Sequence, residues 1–416
     1  MRGFSFVGII IMIGVIVLLE YYTYTSIRFL LRNSRANYKT IYTILYFVLS
    51  LLWISTLLTM PMWRNWDEQK MLRNILVSFG MGMLIAKLLI SAVLILDDLR
   101  RFLFYVSSLF FAQNTEPKLV QQGMTRSEFM NSIALLLGGG LFATLLLGLK
   151  NKYNYKWKEI SLSFDHLPHA FKGMKIVQIS DIHSGSLDDI EAVSKGIDLI
   201  MQKKPDLILF TGDLVNNRHE EALQFVSSFS KLKAPLGVYS ILGNHDYGDY
   251  IPWDTEQAKQ DNLEKLKKLH ADMGWRLLLD EHIVLEKENE SIALLGVQNT
   301  SFGRRFHSYG DLSKAYQGSE HVPFKILMSH DPSHWDGEVN TKYKDIALTL
   351  SGHTHGMQFG VEIPGFKWSP VKYIYKQWAG LYENNKQYLY VNRGFGFLGY
   401  PGRVGIMPEL TCIELS

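Results

Sequence analysis

The segment KIVQISDIH, residues 175–183, sets the pattern that decides the fold of the second half of the chain. Its first six residues include Ile176, Val177 and Ile179 and have the character of a buried strand, and Asp181 and His183 follow where that strand ends. Alternate residues of an extended segment point to the same side, so both side chains can reach one site. The same order of apolar strand and polar end recurs at PDLILFTGD (205–213), GVYSILGNHD (237–246), KILMSHD (325–331) and IALTLSGHTHG (346–356).

Helical patterns separate the earlier strands. Residues 188–203, 220–232 and 255–273 have the periodicity of helices, whereas the chain after 275 consists mostly of short strands (WRLLL, HIVLEK, IALLGV, QYLYVN and LTCIEL). An alternation of β and α that ends in β is typical of an α/β layered sandwich with a mixed sheet. We expect this domain to span 175–416, after a linker and a first strand in 151–174.

The first 150 residues have a different composition. Only 21 of them are charged, against 62 of the remaining 266. Four apolar stretches, at about 6–27, 41–60, 75–96 and 130–149, are long enough to cross a bilayer, which takes about 20 residues of helix. We therefore predict an all-α transmembrane region of four helices over 1–150.

Composition also excludes several classes of protein. Cys412 is the single cysteine of the chain, which rules out a disulfide framework and a zinc site built on cysteines. Residues 151–416 hold 29 Lys and Arg against 33 Asp and Glu. Because this part has no basic excess, we expect no nucleic-acid partner.

Two features of the transmembrane region leave alternatives open. Lys87 falls near the middle of the third span, where an ionisable group is costly, and Glu20 on the first span is a candidate partner. The alternative is a lysine that snorkels or faces a watery cleft. Segment 99–113 either lies in the membrane interface or extends the third helix.

The polar residues at the strand ends are of types that bind metal. Open α/β sheets bind ligands at the carboxyl ends of their strands. Carboxylate, amide and imidazole groups are ligands of hard and borderline divalent cations such as Mn, Fe and Zn. A single His or Gly-Asp after a strand is usually structural, but here such residues follow five strands of one domain. The candidate ligands are Asp181, His183, Asp213, Asn244, His330, His353 and His355.

Taken together, these blocks resemble the calcineurin-like metallophosphoesterase superfamily, whose signature is D-x-H, GD, GNH-D/E, a lone H and GH-x-H. The resemblance implies a layered α-β-β-α sandwich with mixed sheets and two divalent metal ions. It assigns Asp181, His183 and His355 to one metal and Asn244, His330 and His353 to the other. Asp213 would bridge both metals, and His245 would contact the phosphate and protonate the leaving oxygen.

The implied reaction is hydrolysis of a phosphodiester, pyrophosphate or phosphomonoester by attack of a metal-bound hydroxide, because paired cations clamp such a displacement. Histidine is a side chain suited to general acid work near neutral pH. One departure concerns the residue three positions after the bridging Asp, where several members carry Asp and this chain has Asn216. Asp246 is then a substitute candidate for orienting His245. Arg218 is either a phosphate contact or a solvated surface residue.

The tail, residues 380–415, resembles the C-terminal end of bacterial membrane-linked YkuE-like phosphoesterases. Arg393 and Arg403 in this Gly-rich segment either contact substrate or are structural. Segment 359–378 mixes aromatic residues with lysines, so it is either a flap suited to lipid headgroups or a packed loop or hairpin. With four spans, the flap favours a lipid-linked phosphate or pyrophosphate as substrate and membrane lipids as partners.

The side of the membrane is undecided by charge, because eight Lys and Arg flank the spans on each side. Residues 125–142 resemble a twin-arginine export signal in which Arg126 is kept and Ser127 replaces the second Arg. We therefore expect a multi-pass protein of the bacterial cell membrane with an extracytoplasmic catalytic domain. Two other hypotheses remain, a non-catalytic membrane sensor or scaffold that binds a phosphorylated ligand, and a transporter that uses Lys87 and Glu20.

Overall fold

A computed structural model describes residues 6–59, 70–110, 125–303 and 306–416. The chain divides into two compact units, Met1–Leu147 and Gly148–Ser416. Several lysines and arginines of the charge comparison, such as Arg2, Arg64 and Lys118, lie outside the described residues, as do the last three residues of segment 99–113.

The first unit consists of long helices. They are α1 (Phe6–Leu30), α2 (Ala36–Thr59), α3 (Lys70–Phe110) and α4 (Arg126–Gly148). Each is long and apolar enough to cross a membrane, which confirms the four predicted spans. Helix α3 continues without a break through 99–110, so this part of segment 99–113 extends the third helix.

A buried polar cluster joins α1, α2 and α3. The Lys87 ammonium forms an ion pair with Glu20, which confirms the predicted partner, and it donates to Ser50 Oγ at 3.0 Å. Ser50 Oγ in turn donates to Glu20 Oε2 at 2.9 Å. The ammonium also lies 4.4 Å from the centroid of the Trp53 ring, a cation–π contact. Lys87 is 1% exposed, so its charge is balanced by protein groups rather than by snorkelling.

The second unit contains two sheets and a small hairpin. In chain order the strands are β1 (Lys156–Leu162), β2 (Lys175–Ile179), β3 (Leu207–Phe210), β4 (Val238–Ser240), β5 (Arg276–Leu277), β6 (Glu281–Lys287), β7 (Glu290–Gly296), β8 (Lys325–Met328), β9 (Ile346–Ser351), β10 (Val361–Ile363), β11 (Phe366–Trp368), β12 (Gly380–Asn384), β13 (Gln387–Val391) and β14 (Glu409–Leu415). The helices are α5 (Ile190–Gln202), α6 (Val226–Phe229), α7 (Glu256–Asp272), α8 (Leu312–Tyr316) and α9 (Asn340–Lys342).

Both six-stranded sheets are mixed. The first has the order β1-β14-β2-β3-β4-β5, and the second has the order β12-β13-β9-β8-β7-β6. In the first, β14 runs antiparallel to β2, while β2, β3 and β4 are parallel, with Val177 opposite Ile208. In the second, β7, β8, β9 and β13 are parallel and the two edge strands are antiparallel.

The core has the layers expected of an α-β-β-α sandwich. Alternate residues of β2 and β3 point to opposite faces. Ile176 and Leu207 pack with Leu294 and other residues of the second sheet, whereas Val177 belongs to the cluster that includes residues of α5 and α7. A third cluster packs the far face of the second sheet against α8. The predicted fold class is therefore confirmed.

One element differs from the sequence prediction, and two others have the form that was expected. The predicted helix 220–232 is a 3-10 helix over His219–Phe225 followed by the single turn of α6. The first strand expected in 151–174 is β1, which pairs in parallel with β14 inside the first sheet. The hairpin β10–β11 lies within the segment 359–378.

The buried pair of Lys87 and Glu20 generates a stability prediction. Replacing Lys87 with Met leaves the Glu20 carboxylate, whose side chain is 20% exposed, without its cation, so we expect a loss of at most about 3–5 kcal/mol. The double variant Lys87→Met and Glu20→Gln should recover most of that loss. The measurement is thermal unfolding of the full chain in detergent. Equal stability of Lys87→Met and the double variant would contradict the pairing, and Lys39→Met on the exposed start of α2 is the control.

Candidate metal centre

The polar ends of β2, β3, β4, β8 and β9 meet at one edge of the sandwich. Asp181, His183 and His355 form one group whose potential ligand atoms all lie within 4.8 Å of one another. All three side chains are buried, and His355 Nε2 lies 3.3 Å from Asp181 Oδ1. The Asp-x-His and His-x-His blocks, separated by more than 170 residues, thus supply one cluster.

A second group forms beside the first. Asp213, His330 and His353 have potential ligand atoms within 4.8 Å of one another. Asn244 joins them, because its Oδ1 lies 2.8 Å from His353 Nδ1 and 3.1 Å from His330 Nε2. The structure therefore brings together all seven residues that the sequence analysis selected as candidate ligands.

The Asp213 carboxylate lies between the two groups. Its Oδ2 is 3.4 Å from His183 Nε2 in one group and 3.2 Å from His330 Nε2 in the other. Its Oδ1 accepts a hydrogen bond from the backbone N–H of His245 at 2.8 Å. The side chain is thus held where a carboxylate could contact ions in both groups.

Hydrogen bonds outside the cluster orient the imidazoles. His330 Nδ1 donates to the Thr211 carbonyl at 2.7 Å, which turns Nε2 toward the cluster. His183 Nδ1 lies 3.0 Å from Asn216 Oδ1 in the same way. Among the described residues, His183 Nε2 and His355 Nε2 are buried and have no hydrogen-bond partner. Buried nitrogens aimed at carboxylates in this way fit a divalent cation, since metal-binding His usually donates its other N–H.

Burial and nearby charges shift the pKa values of the cluster. Burial lowers the pKa of His183 to about 3 and that of His353 to about 4, so both are neutral imidazoles, the form that binds metal. Burial also disfavours the charged form of His330, but the carboxylates of Asp213 and Asp181 outweigh it and raise the pKa of His330 to about 10. Without a cation, a proton on His330 therefore balances part of the carboxylate charge.

The backbone is unusual at the same positions. Five of the seven candidate ligands, namely Asp181, His183, Asp213, His353 and His355, have φ between 50° and 71°, a region that residues other than glycine rarely adopt. Gly243 allows the loop after β4 to approach the loop that carries Asp213, because a Cβ at Gly243 would lie 2.2 Å from Asp213 Oδ1. Strained backbone of this kind concentrates at functional sites.

His245 lies beside the cluster, but Asp246 does not orient it. His245 Nδ1 bonds to the backbone carbonyl of Asn216 at 2.9 Å. The Asp246 carboxylate instead accepts from the backbone N–H groups of Asp213, Leu214, Val215 and Gly243. The hypothesis that Asp246 replaces the missing carboxylate was wrong, because its oxygens already bind these amides. The Asn216 side chain orients His183 rather than His245.

The three candidate substrate arginines lie away from the cavity described below. Arg403 is fully buried and donates to the carbonyls of Arg393, Gly394, Gly396 and His355. Arg393 is 3% exposed and pairs with Glu409 and Glu362. The Arg218 guanidinium stacks 4.4 Å above the Trp253 ring on the surface. This geometry favours the structural alternative for Arg393 and Arg403 and the solvated alternative for Arg218.

Two tyrosines near the cluster were not selected from the sequence. Tyr250 OH accepts from Asn244 Nδ2 at 2.8 Å, which turns the amide oxygen of Asn244 toward the cluster. Tyr375 OH lies 2.8 Å from His353 Nε2 and leaves Nδ1 facing the cluster. The aromatic content of 359–378 pointed to Tyr375 only as part of a segment, and no motif marked Tyr250.

The cluster opens into a cavity of about 320 Å³. Its polar wall is formed by His183, Asp213, Asn244, His245, His353, Thr354 and His355. Its other wall is apolar or aromatic and is formed by Phe306, Met357, Val371, Ile374, Tyr375 and Leu398. The site can therefore accept a charged group at the cluster and an apolar group beside it.

Comparisons with known proteins agree with this geometry. Residues 174–357 match the family described as calcineurin-like phosphoesterase. Residues 2–152 match a family described as the transmembrane domain of a probable calcineurin-like phosphoesterase. One match thus falls in each unit of the chain.

Three relatives are similar in sequence to a large part of the chain. The Bacillus subtilis metallophosphoesterase YkuE is 30% identical over 306 residues, which cover 70% of this chain and 98% of YkuE. The Escherichia coli phosphodiesterase YaeI is 30% identical, with 58% of this chain and 82% of YaeI covered. A Danio rerio transmembrane protein with a metallophosphoesterase domain is 28% identical, with 62% and 56% covered. The chain therefore belongs to the calcineurin-like phosphoesterases, as a membrane protein that joins this domain to a four-helix transmembrane region.

Proposed function

We propose that the protein is a membrane-anchored phosphoesterase with a dinuclear metal centre that hydrolyses a phosphodiester or pyrophosphate bond of a lipid-linked substrate. The observation that carries the proposal is the position of Asp213 Oδ2, within 3.4 Å of a histidine nitrogen in each of two ligand groups. A single carboxylate shared by two such groups is the arrangement that two cations about 4 Å apart require.

The seven candidate ligands divide between the two ions. Asp181, His183 and His355 would hold one, Asn244, His330 and His353 would hold the other, and Asp213 would bind both. Mn, Fe and Zn suit these oxygen and imidazole ligands. Two such cations supply neutralisation of the phosphate oxygens and activation of a water molecule.

His245 is our candidate for the general acid. It lines the cavity, and because its Nδ1 donates to the Asn216 carbonyl, its Nε2 is the nitrogen left to give a proton to the leaving oxygen. The hydrogen bond from its backbone N–H to Asp213 ties its position to the bridging carboxylate. A backbone carbonyl thus takes the orienting role that a carboxylate has in several family members.

The cavity walls support a substrate with both a phosphate and an apolar part. Met357, Ile374 and Leu398 line the cavity together with His183 and His245. An apolar wall of this kind would contact the lipid part of a substrate whose phosphate lies at the metal centre. The relative YaeI is named a phosphodiesterase, which favours a phosphodiester as the bond that this protein hydrolyses. We further propose the bacterial cell membrane as the location, with the catalytic unit on the extracytoplasmic side.

The bridging carboxylate generates the first activity prediction. Asp213→Asn removes the charge shared by both ligand groups, so we expect Mn-dependent hydrolysis to fall by about 10³-fold or more. The assay uses the full chain in detergent with a chromogenic bis-ester and a chromogenic mono-ester. Asp261→Asn on the exposed face of α7 is the matched control.

The outcomes separate the competing functions. Activity on the bis-ester that is lost in Asp213→Asn supports the phosphodiesterase proposal. Tight metal binding without turnover of either ester would instead support the non-catalytic sensor or scaffold. Wild-type activity in Asp213→Asn would overturn the assignment of the centre.

His245 generates a prediction about leaving groups. His245→Ala should lower kcat by about 10²- to 10⁴-fold for esters of alkyl alcohols, whose alkoxides need a proton as they leave. Esters of nitrophenol should lose much less, because nitrophenolate leaves without protonation. The measurement compares kcat for the two ester types in both proteins, and equal losses for both would argue against an acid role.

A further inference from the structure

The hairpin β10–β11 presents an apolar face away from its own domain. Val361 lies opposite Trp368 and Ile363 lies opposite Phe366, so these four side chains share one face. Glu362 and Lys367 form the intervening pair and point to the other face.

The polar face is the one attached to the domain. Glu362 Oε1 accepts from Arg393 Nη2 at 3.0 Å and from Lys158 Nζ at 2.9 Å. Lys367 donates to the Ala379 carbonyl and lies 5.0 Å from the centroid of the Trp378 ring. These contacts hold the hairpin so that its apolar face is turned outward.

Three of the four apolar side chains are exposed and Trp368 is half-buried, while Lys367 on the polar face is exposed as well. Ile363 is 58% exposed, Phe366 53% and Val361 42%. Of the fourteen large exposed apolar side chains in the described part of 148–416, seven lie between 357 and 381. Soluble domains rarely expose apolar side chains in such a concentration, and where they do the patch usually contacts another apolar phase.

Further exposed apolar side chains lie at the cavity. Met357 and Ile374 line the cavity and are also about half exposed, and Tyr373 is 74% exposed beside Ile374. Lys372, also exposed, has its ammonium 5.4 Å from the Tyr373 ring. Aliphatic, aromatic and basic groups together are the composition that binds the boundary of an anionic bilayer.

We infer that this docking face, formed by Val361, Ile363, Phe366, Tyr373 and Ile374, rests in the headgroup region of the bilayer. The four spanning helices anchor the chain in a membrane, so the bilayer is always available as a partner for this face. Seating the face there covers its apolar surface and brings the mouth of the cavity to the lipid. The inference goes beyond the proposed function, because bilayer contact can be measured without turnover.

The test places an environment-sensitive fluorophore on the docking face. Ile363→Cys is labelled in the full chain and reconstituted in vesicles of phosphatidylcholine and phosphatidylglycerol that carry a quencher on the acyl chains. Cys412 is buried, and the unsubstituted chain measures any labelling there. Val284→Cys, at an exposed apolar position on β6, is the matched control.

We expect the label at 363 to emit at shorter wavelength and to be quenched by the acyl-chain quencher, while the label at 284 is not. Equal behaviour of the two labels would overturn the inference. Disulfide cross-linking between copies of Ile363→Cys, without quenching, would also overturn it, because a second copy would then cover the face.

A second variant separates docking from folding. Phe366→Asp in the Ile363→Cys background places a charge directly opposite the label, so quenching should fall about tenfold as the face loses apolar contact. Thermal unfolding of this variant, compared with that of the Ile363→Cys protein, reports whether the domain is intact. Unchanged quenching in this variant would contradict the docking face, whether or not the protein proves to be a phosphoesterase.

Discussion

Buried carboxylate charge is the constraint on which the catalytic unit depends. Asp181, Asp213 and Asp246 are each at most 1% exposed and lie close together. Burial, with the nearby charge of Asp213, raises the pKa of Asp181 to about 6 and that of Asp246 to about 7. A buried negative charge is tolerated only when it is paired or binds a metal. Divalent cations would satisfy this requirement at the same place where phosphate chemistry needs positive charge.

The surrounding loops hold a backbone that would otherwise relax. A left-handed residue other than glycine costs on the order of 1–3 kcal/mol, and five candidate ligands adopt this conformation. Asp246 offsets part of that cost by binding four backbone N–H groups across two loops. Arg403 does the same on the opposite side, since its guanidinium binds carbonyls of 393–396 and of His355. Both charged side chains act on the site through the backbone and not through substrate.

The sequence predicted the parts of the structure that repeat a local rule. Asp181, Asp213 and His353 were found because each follows an apolar strand, and the carboxyl ends of neighbouring strands meet at one edge. The partners of Asp246 and Arg403 could not be predicted, because a charged residue in a loop gives no sign of which backbone groups it binds. The orientation of the β10–β11 hairpin could not be predicted from the sequence for a similar reason. Alternation in VEIPGFKW gives two faces, but only the contacts of Glu362 with Arg393 and Lys158 decide which face is inward.

The same reasoning about charge applies to the transmembrane helices. A transport path would present its ionisable groups to water or to a passing solute. Lys87 is instead enclosed by Glu20, Ser50, Trp53 and Tyr46, and its ammonium binds groups on both α1 and α2. Removing the charge of Glu20 would leave the buried Lys87 without its counter-ion, so the pair favours one packing of the three helices over alternatives. The geometry therefore argues for a structural role of Lys87 within an anchor, and against the transporter hypothesis that rested on it.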